Sequence, residues 1–178
     1  MGDHVLFVYG TLMAPQMLHR VVHGNVEPEP WQKAMLRFQP AVLHGYRRHR
    51  VRGEDYPGIV SASESTSVLG TLVSGLTDGD IHRLDMYEGD EYIREGVSVR
   101  VLQESLPEGT GQASSSEGHL RDVLDAAGTE FADEGGEVQA MTYLWIAGEG
   151  RLEDAEWDFE TFKRDKMAWW VGRDESQW

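Results

Sequence analysis

Val5-Leu6-Phe7-Val8-Tyr9-Gly10-Thr11-Leu12 is a β-branched and aromatic run that stops at a glycine, and Pro15 to His23 follows with Leu18, Val21 and Val22 on one helical face. A strand, a glycine turn and a helix in that order bring main-chain N–H groups together at the junction. Gly10 there lets a ligand approach the backbone closely, although such a junction also serves simply as a structural turn. Pro15 suits a first helical turn and Gly24 a stop. Working outward, further β-type runs are Ala41-Val-Leu-His-Gly-Tyr, Gly58-Ile-Val, Val68-Leu-Gly-Thr-Leu-Val, Val97-Ser-Val-Arg-Val and Ala140-Met-Thr-Tyr-Leu-Trp, several of them bounded by Gly or Pro. A second helix is expected from about Asp78 to Glu88. A C-terminal amphipathic helix is expected over 154–171, where Ala155, Phe159, Phe162 and Trp169 form a stripe and acids precede Lys163, Arg164 and Lys166, as the helix dipole favours. Trp157, Trp170 and Trp178 lie off that stripe, which keeps a protein-partner surface open as an alternative to packing on the chain's own core.

The 178 residues leave room for one domain with an elaboration. The elaboration is expected at 103–137, which holds nine acids against one base, Arg121, and so carries more than half of the net charge of −15. Rich also in Gly and Ser, that stretch buries too little apolar surface to offset its ordering entropy and reads as a flexible insertion between two strands. The acidic balance has the wrong sign for neutralising phosphates, so nucleic acid is not an expected partner. No run approaches the roughly 20 apolar residues of a membrane span. Asp3 stands where a signal peptide carries a base, and Leu6 stands where a myristoylation motif carries Ser or Thr, so the chain is expected in the cytoplasm. The absence of Cys removes disulfides, thiol nucleophiles and Cys-bound zinc together. Oxygen and nitrogen chemistry remains.

Within that chemistry, Glu88 is the first candidate. Ile81, Leu84 and Glu88 are spaced i, i+3, i+7, so a helix carries Glu88 inward on its apolar stripe, where burial would raise the carboxyl pKa toward what a general acid/base needs. The same residue precedes Gly89 at the helix end, where it can instead turn to solvent; spacing alone leaves both open. Tyr92 and Arg94 are placed to support the carboxylate, and Arg94 is equally placed to pair with Asp85 or Asp90. His19 and His23 have a ligand spacing but no third ligand in view, so no metal is expected. The basic run Arg47-Arg-His-Arg-Val-Arg, in so acidic a chain, is expected to pair internally. Gly109-Thr-Gly lacks the lysine and context of a phosphate loop.

Taken in order, Val8-Tyr-Gly-Thr-Leu-Met, Tyr56-Pro-Gly-Ile-Val, Gly70-Thr-Leu-Val, Leu84-Asp-Met-Tyr-Glu-Gly-Asp-Glu-Tyr-Ile-Arg and Ala140-Met-Thr-Tyr-Leu-Trp resemble the gamma-glutamylcyclotransferase-like superfamily, in particular its gamma-glutamylamine cyclotransferase and plant avirulence-induced-protein branch. The resemblance covers roughly residues 4–101 and 138–147. It implies an α+β fold, a small mixed β-barrel with flanking helices. It also implies release of 5-oxoproline from a small γ-glutamyl compound, without metal or cofactor. Its catalytic Glu maps onto Glu88. The loop Tyr9, Gly10, Thr11, Leu12 would hold the glutamyl moiety or the developing oxyanion, and Tyr143 would line the pocket. A non-catalytic ligand-binding or regulatory protein on the same fold, using the acidic insertion or Trp-rich tail on a protein partner, is the alternative. The acidic insertion departs from the compact members of the superfamily.

Overall fold

Strand β1 (His4–Val8) is apolar on consecutive residues because both of its faces are covered: Leu6, Phe7 and Val8 are all buried. Leu6 and Val8 join a cluster with Leu18, Val21 and Val22 of helix α1 (Pro15–His23) and Ile81 and Leu84 of helix α3 (Asp78–Glu88). Phe7 joins the other cluster, with Ala41, Leu43, Leu72, Val97 and Val99 from neighbouring strands. The structure is a computed structural model that describes residues 2–24, 29–103 and 133–165.

The remaining elements are α2 (Pro30–Lys33), β2 (Arg37–His44), β3 (Tyr46–Arg50), β4 (Pro57–Ser61), β5 (Ser67–Leu76), β6 (Tyr92–Gln103), β7 (Asp133–Trp145) and α4 (Phe159–Asp165). Five strands close a barrel in the order β1-β5-β2-β6-β7, and β7 returns to β1 in parallel at Leu6 opposite Met141, so the barrel is mixed as expected. Strands β3 and β4 form a separate two-stranded sheet. No helix among the described residues is long and apolar enough to cross a membrane.

Both expected helices over 15–23 and 78–88 are present with their punctuation. Gly24 ends α1 at φ 70°, and Thr77 caps α3 in a reciprocal box with Asp80. The strands run longer than their apolar cores suggest. β2 begins at Arg37 and passes through Pro40; it pairs with β5 along its length but with β6 only at Ala41 and Val42, so at Pro40 no β6 residue is paired among the described residues and the missing N–H is tolerated. β6 and β7 form a ladder from Tyr92 opposite Trp145 to Gln103 opposite Asp133. The stretch read as an insertion over 103–137 therefore overlaps strand at both ends, and 104–132 lie outside the described residues.

The C-terminal helix differs from its expectation. Residues 154–158 are irregular, and the described helix starts at Phe159, with Thr161 bonded to the Asp158 carboxylate at its first turn. The backbone of the preceding segment is spoken for: the Ala155 carbonyl accepts from Arg50 N–H, and the Asp154 carbonyl accepts from the Arg47 guanidinium. The later start also corrects the placing of Trp157 off the buried stripe. Trp157 is buried with Ala14, Met17 and Phe162, its indole N–H donating to the Asp55 carbonyl at 2.7 Å. Residues 166–171 of the expected helix, with Trp169, and likewise Trp170 and Trp178, lie outside the described residues.

Candidate active site

Three chain segments meet at the mouth of the barrel. The end of β1 delivers Tyr9 and Gly10, which run into a 3-10 turn at Thr11–Met13. Helix α3 delivers Glu88 as its last residue, because buried Ile81 and Leu84 fix the face on which Glu88 falls. Strand β7 delivers Tyr143. Together with Phe7, Val8, Leu12, Tyr56, Pro57 and Tyr92 these residues line a narrow cleft, partly open to solvent. A wider basin shares Thr11, Tyr56, Glu88 and Tyr92 and adds Met86, Tyr87 and Asp90. Gly10 fits tightly against the cleft wall, since a Cβ there would come within 2.8 Å of the Pro57 ring.

The tyrosines of the cleft are tied. Tyr9 donates to the Tyr143 carbonyl at 2.5 Å, Tyr92 to the Pro57 carbonyl at 2.7 Å, Tyr56 to the Glu91 carboxylate at 2.9 Å and Tyr143 to the Asp85 carboxylate at 2.7 Å. Burial first pushes all four hydroxyls above their ordinary pKa; nearby carboxylates follow, except that at Tyr92 the neighbouring Tyr9 comes before them, so the hydroxyls remain protonated donors. Glu88 behaves differently. Its carboxyl is pushed up to about 8, by desolvation first and by the charge of Asp85 second. Among the described residues no hydrogen bond or ion pair engages that carboxylate. Asp85, one helical turn away, is held in turn by two of the Arg94 nitrogens, Nε at 2.9 Å and Nη2 at 3.1 Å. Glu88 is thus the ionisable group of the cleft that changes charge near neutral pH.

A family model described as gamma-glutamyl cyclotransferase, AIG2-like, matches residues 6–114. The chain belongs to that family. It is similar to Protein AIG2 C of Arabidopsis thaliana, 28% identical over 161 residues that cover 90% of this chain and 73% of the relative. It is also similar to AIG2-like protein D of the same plant, 28% identical over 92% of this chain and 82% of the relative. Among solved structures, an Arabidopsis thaliana protein determined in solution matches with a TM-score of 0.54 and 25% identity, over 96% of this chain and 87% of that one. A structure named gamma-glutamyl cyclotransferase matches with a TM-score of 0.52 and 13% identity, over 85% and 69% of the two chains, a likeness of fold.

In this member of the gamma-glutamyl cyclotransferase, AIG2-like family, the structure brings Tyr9, Gly10, Thr11, Leu12, Glu88, Tyr92 and Tyr143 into one cleft. Arg94 stands apart from them: its guanidinium is engaged by Asp85, so it reaches Glu88 only through that carboxylate. Sequence spacing gives no role to Tyr56 or Pro57, although both stand in the Tyr56-Pro-Gly motif; Asp85 enters it only as a possible partner of Arg94, which the structure shows it to be, and Asp85 also accepts from Tyr143. His19 and His23 stack with their Nδ1 atoms 3.0 Å apart, and burial, followed by the neighbouring His23, lowers the His19 pKa to about 4. Among the described residues no three His, Asp or Glu side chains are grouped to hold a metal.

Proposed function

We propose that the protein is an enzyme that cyclises a small γ-glutamyl compound to 5-oxoproline. The observation that carries this reading is Glu88, a carboxyl that desolvation and then Asp85 raise to about 8, with no bonded partner among the described residues, in a cleft that Tyr9, Gly10, Thr11 and Leu12 also line. The substrate's α-ammonium gives a proton to the Glu88 carboxylate, and the neutral amine attacks the γ-carbonyl carbon to close a five-membered ring. The tetrahedral oxyanion faces the N–H groups of the loop at Gly10 to Leu12. Glu88, now an acid, returns the proton to the departing nitrogen as the γ-carbon–nitrogen bond breaks, and the second proton of the new ring nitrogen passes to the freed amine, so that 5-oxoproline leaves as the neutral lactam and the amine as its ammonium. One carboxylate serves as base and then acid. Tyr143 and Tyr92 supply walls, their hydroxyls held by Asp85 and by the Pro57 carbonyl.

The test is incubation of the full chain with γ-glutamyl amines, γ-glutamyl amino acids and γ-glutamyl peptides, following 5-oxoproline by mass spectrometry. At least one class should give product at a rate proportional to protein concentration. Binding of a γ-glutamyl compound without product from any of them would make the non-catalytic reading the better account.

A further inference from the structure

Arg48 is the residue of the basic run that turns inward, and its guanidinium reaches the back of the cleft. It donates to the Tyr9 carbonyl at 2.7 Å and to the Leu69 carbonyl at 3.2 Å, while its Nε donates to the Glu156 carboxylate at 2.8 Å. Its guanidinium carbon also lies 5.6 Å from the Trp157 ring centroid, over the ring. The Arg48 side chain is only 13% exposed and does not line the cleft, whereas Gly10 does. In a trans peptide the C=O and the following N–H point in opposite directions, and the described peptides are all trans. Holding the Tyr9 carbonyl toward Arg48 therefore turns the Gly10 N–H away from Arg48.

We propose that Arg48 is a positioning residue: by gripping the Tyr9 carbonyl from behind, it fixes the Gly10 N–H as a donor into the cleft, and Glu156 and Trp157 of the C-terminal segment hold Arg48 in place. The proposal rests on the reading of Tyr9–Leu12 as the cradle of the reacting carbonyl. It gives the C-terminal segment a place in the site without contact to substrate, and it explains why an acidic chain keeps a partly buried cation at this point. Tyr9 is then anchored twice, by its hydroxyl on Tyr143 and by its carbonyl on Arg48.

The experiment compares wild type, Arg48→Met, Arg48→Lys and Glu156→Gln as full chains. A cooperative melt is the condition for reading each variant. Arg48→Met should lower kcat by roughly 10–100-fold with KM changed less than about threefold, because a misdirected donor is lost from the transition state more than from the ground state. Arg48→Lys, which keeps a cationic donor, should recover part of the loss, and Glu156→Gln should fall between wild type and Arg48→Met. If Arg48→Met does not fold, the same order between Arg48→Lys, Glu156→Gln and wild type decides. A folded Arg48→Met with kcat within twofold of wild type, or a set of variants in which KM alone rises, overturns the proposal. A second readout separates it from the proposed activity: the Gly10 amide resonance should shift when 5-oxoproline is added to wild type and should not shift in Arg48→Met or, if that variant is unfolded, should shift less in Arg48→Lys. Wild type that makes no 5-oxoproline yet shows this Gly10 difference sinks the catalytic reading and leaves Arg48 in its role, whereas equal Gly10 shifts in folded variants and wild type overturn the role of Arg48.

Discussion

Glu88→Gln should lower the rate of 5-oxoproline formation by roughly 10²–10⁴-fold, the usual contribution of a positioned acid/base. The amide keeps the shape of the side chain but neither takes a proton from the attacking ammonium nor returns one to the leaving nitrogen. Binding should survive, because the cradle at Tyr9 to Leu12 and the walls at Tyr92 and Tyr143 keep their own hydrogen bonds. Ligand should therefore still raise the melting temperature of the variant. Turnover by Glu88→Gln equal to that of wild type would remove Glu88 from the mechanism, and a variant that neither binds nor melts cooperatively would mark Glu88 as structural.

Gly70→Ala should destabilise the fold by about 3 kcal/mol or more, with loss of activity following from loss of the folded state. A Cβ at Gly70 would run into the Val8 carbonyl oxygen and come within 2.7 Å of the Phe7 ring, which is fully buried. The obstacle is backbone of β1 and a ring with nowhere to move, so β1 and β5 would have to separate where Val8 pairs with Thr71. The displaced strand is the one that ends in the cradle. A melting temperature within a degree or two of wild type would show that this barrel seam is looser than its packing implies.

Most of the scaffold is legible in local sequence because its signals are local. The run from Val5 to Tyr9, the proline and glycine that bracket α1, and the stripe and cap of α3 each specify an element within a dozen residues. The same periodicity places Glu88 on the helix but does not decide its orientation, which the residues lining the cleft settle. The extended ends of β6 and β7 are different: Arg94, Glu95 and Gly96 have weak strand propensity alone, and pairing with Tyr143, Thr142 and Met141 supplies what propensity does not. Arg48 and Asp85 act through partners far away in the chain or through a second residue. Sequence spacing shows that Arg48 is charged, and only the tertiary fold shows that its partner is the carbonyl of Tyr9. Trp157 fell outside the helical stripe because the helix begins at Phe159, a boundary set by the bonds of β3 to residues 153–155.

The pH dependence of kcat/KM for 5-oxoproline formation tests the central claim, that a half-buried Glu88 carboxyl, unengaged among the described residues, moves the proton. In the free protein this carboxyl is raised to about 8, so below that pH it is protonated and does not accept from the substrate ammonium. The account predicts that kcat/KM rises as pH is raised from 6 and levels off only near or above 8. It predicts also that Asp85→Asn moves this limb to lower pH, because a charge that raises the Glu88 pKa is gone and the Arg94 cation beside it is left unpaired. An acid limb near 4.5, as for a solvated carboxylate, or a limb that does not move in folded Asp85→Asn, would contradict it.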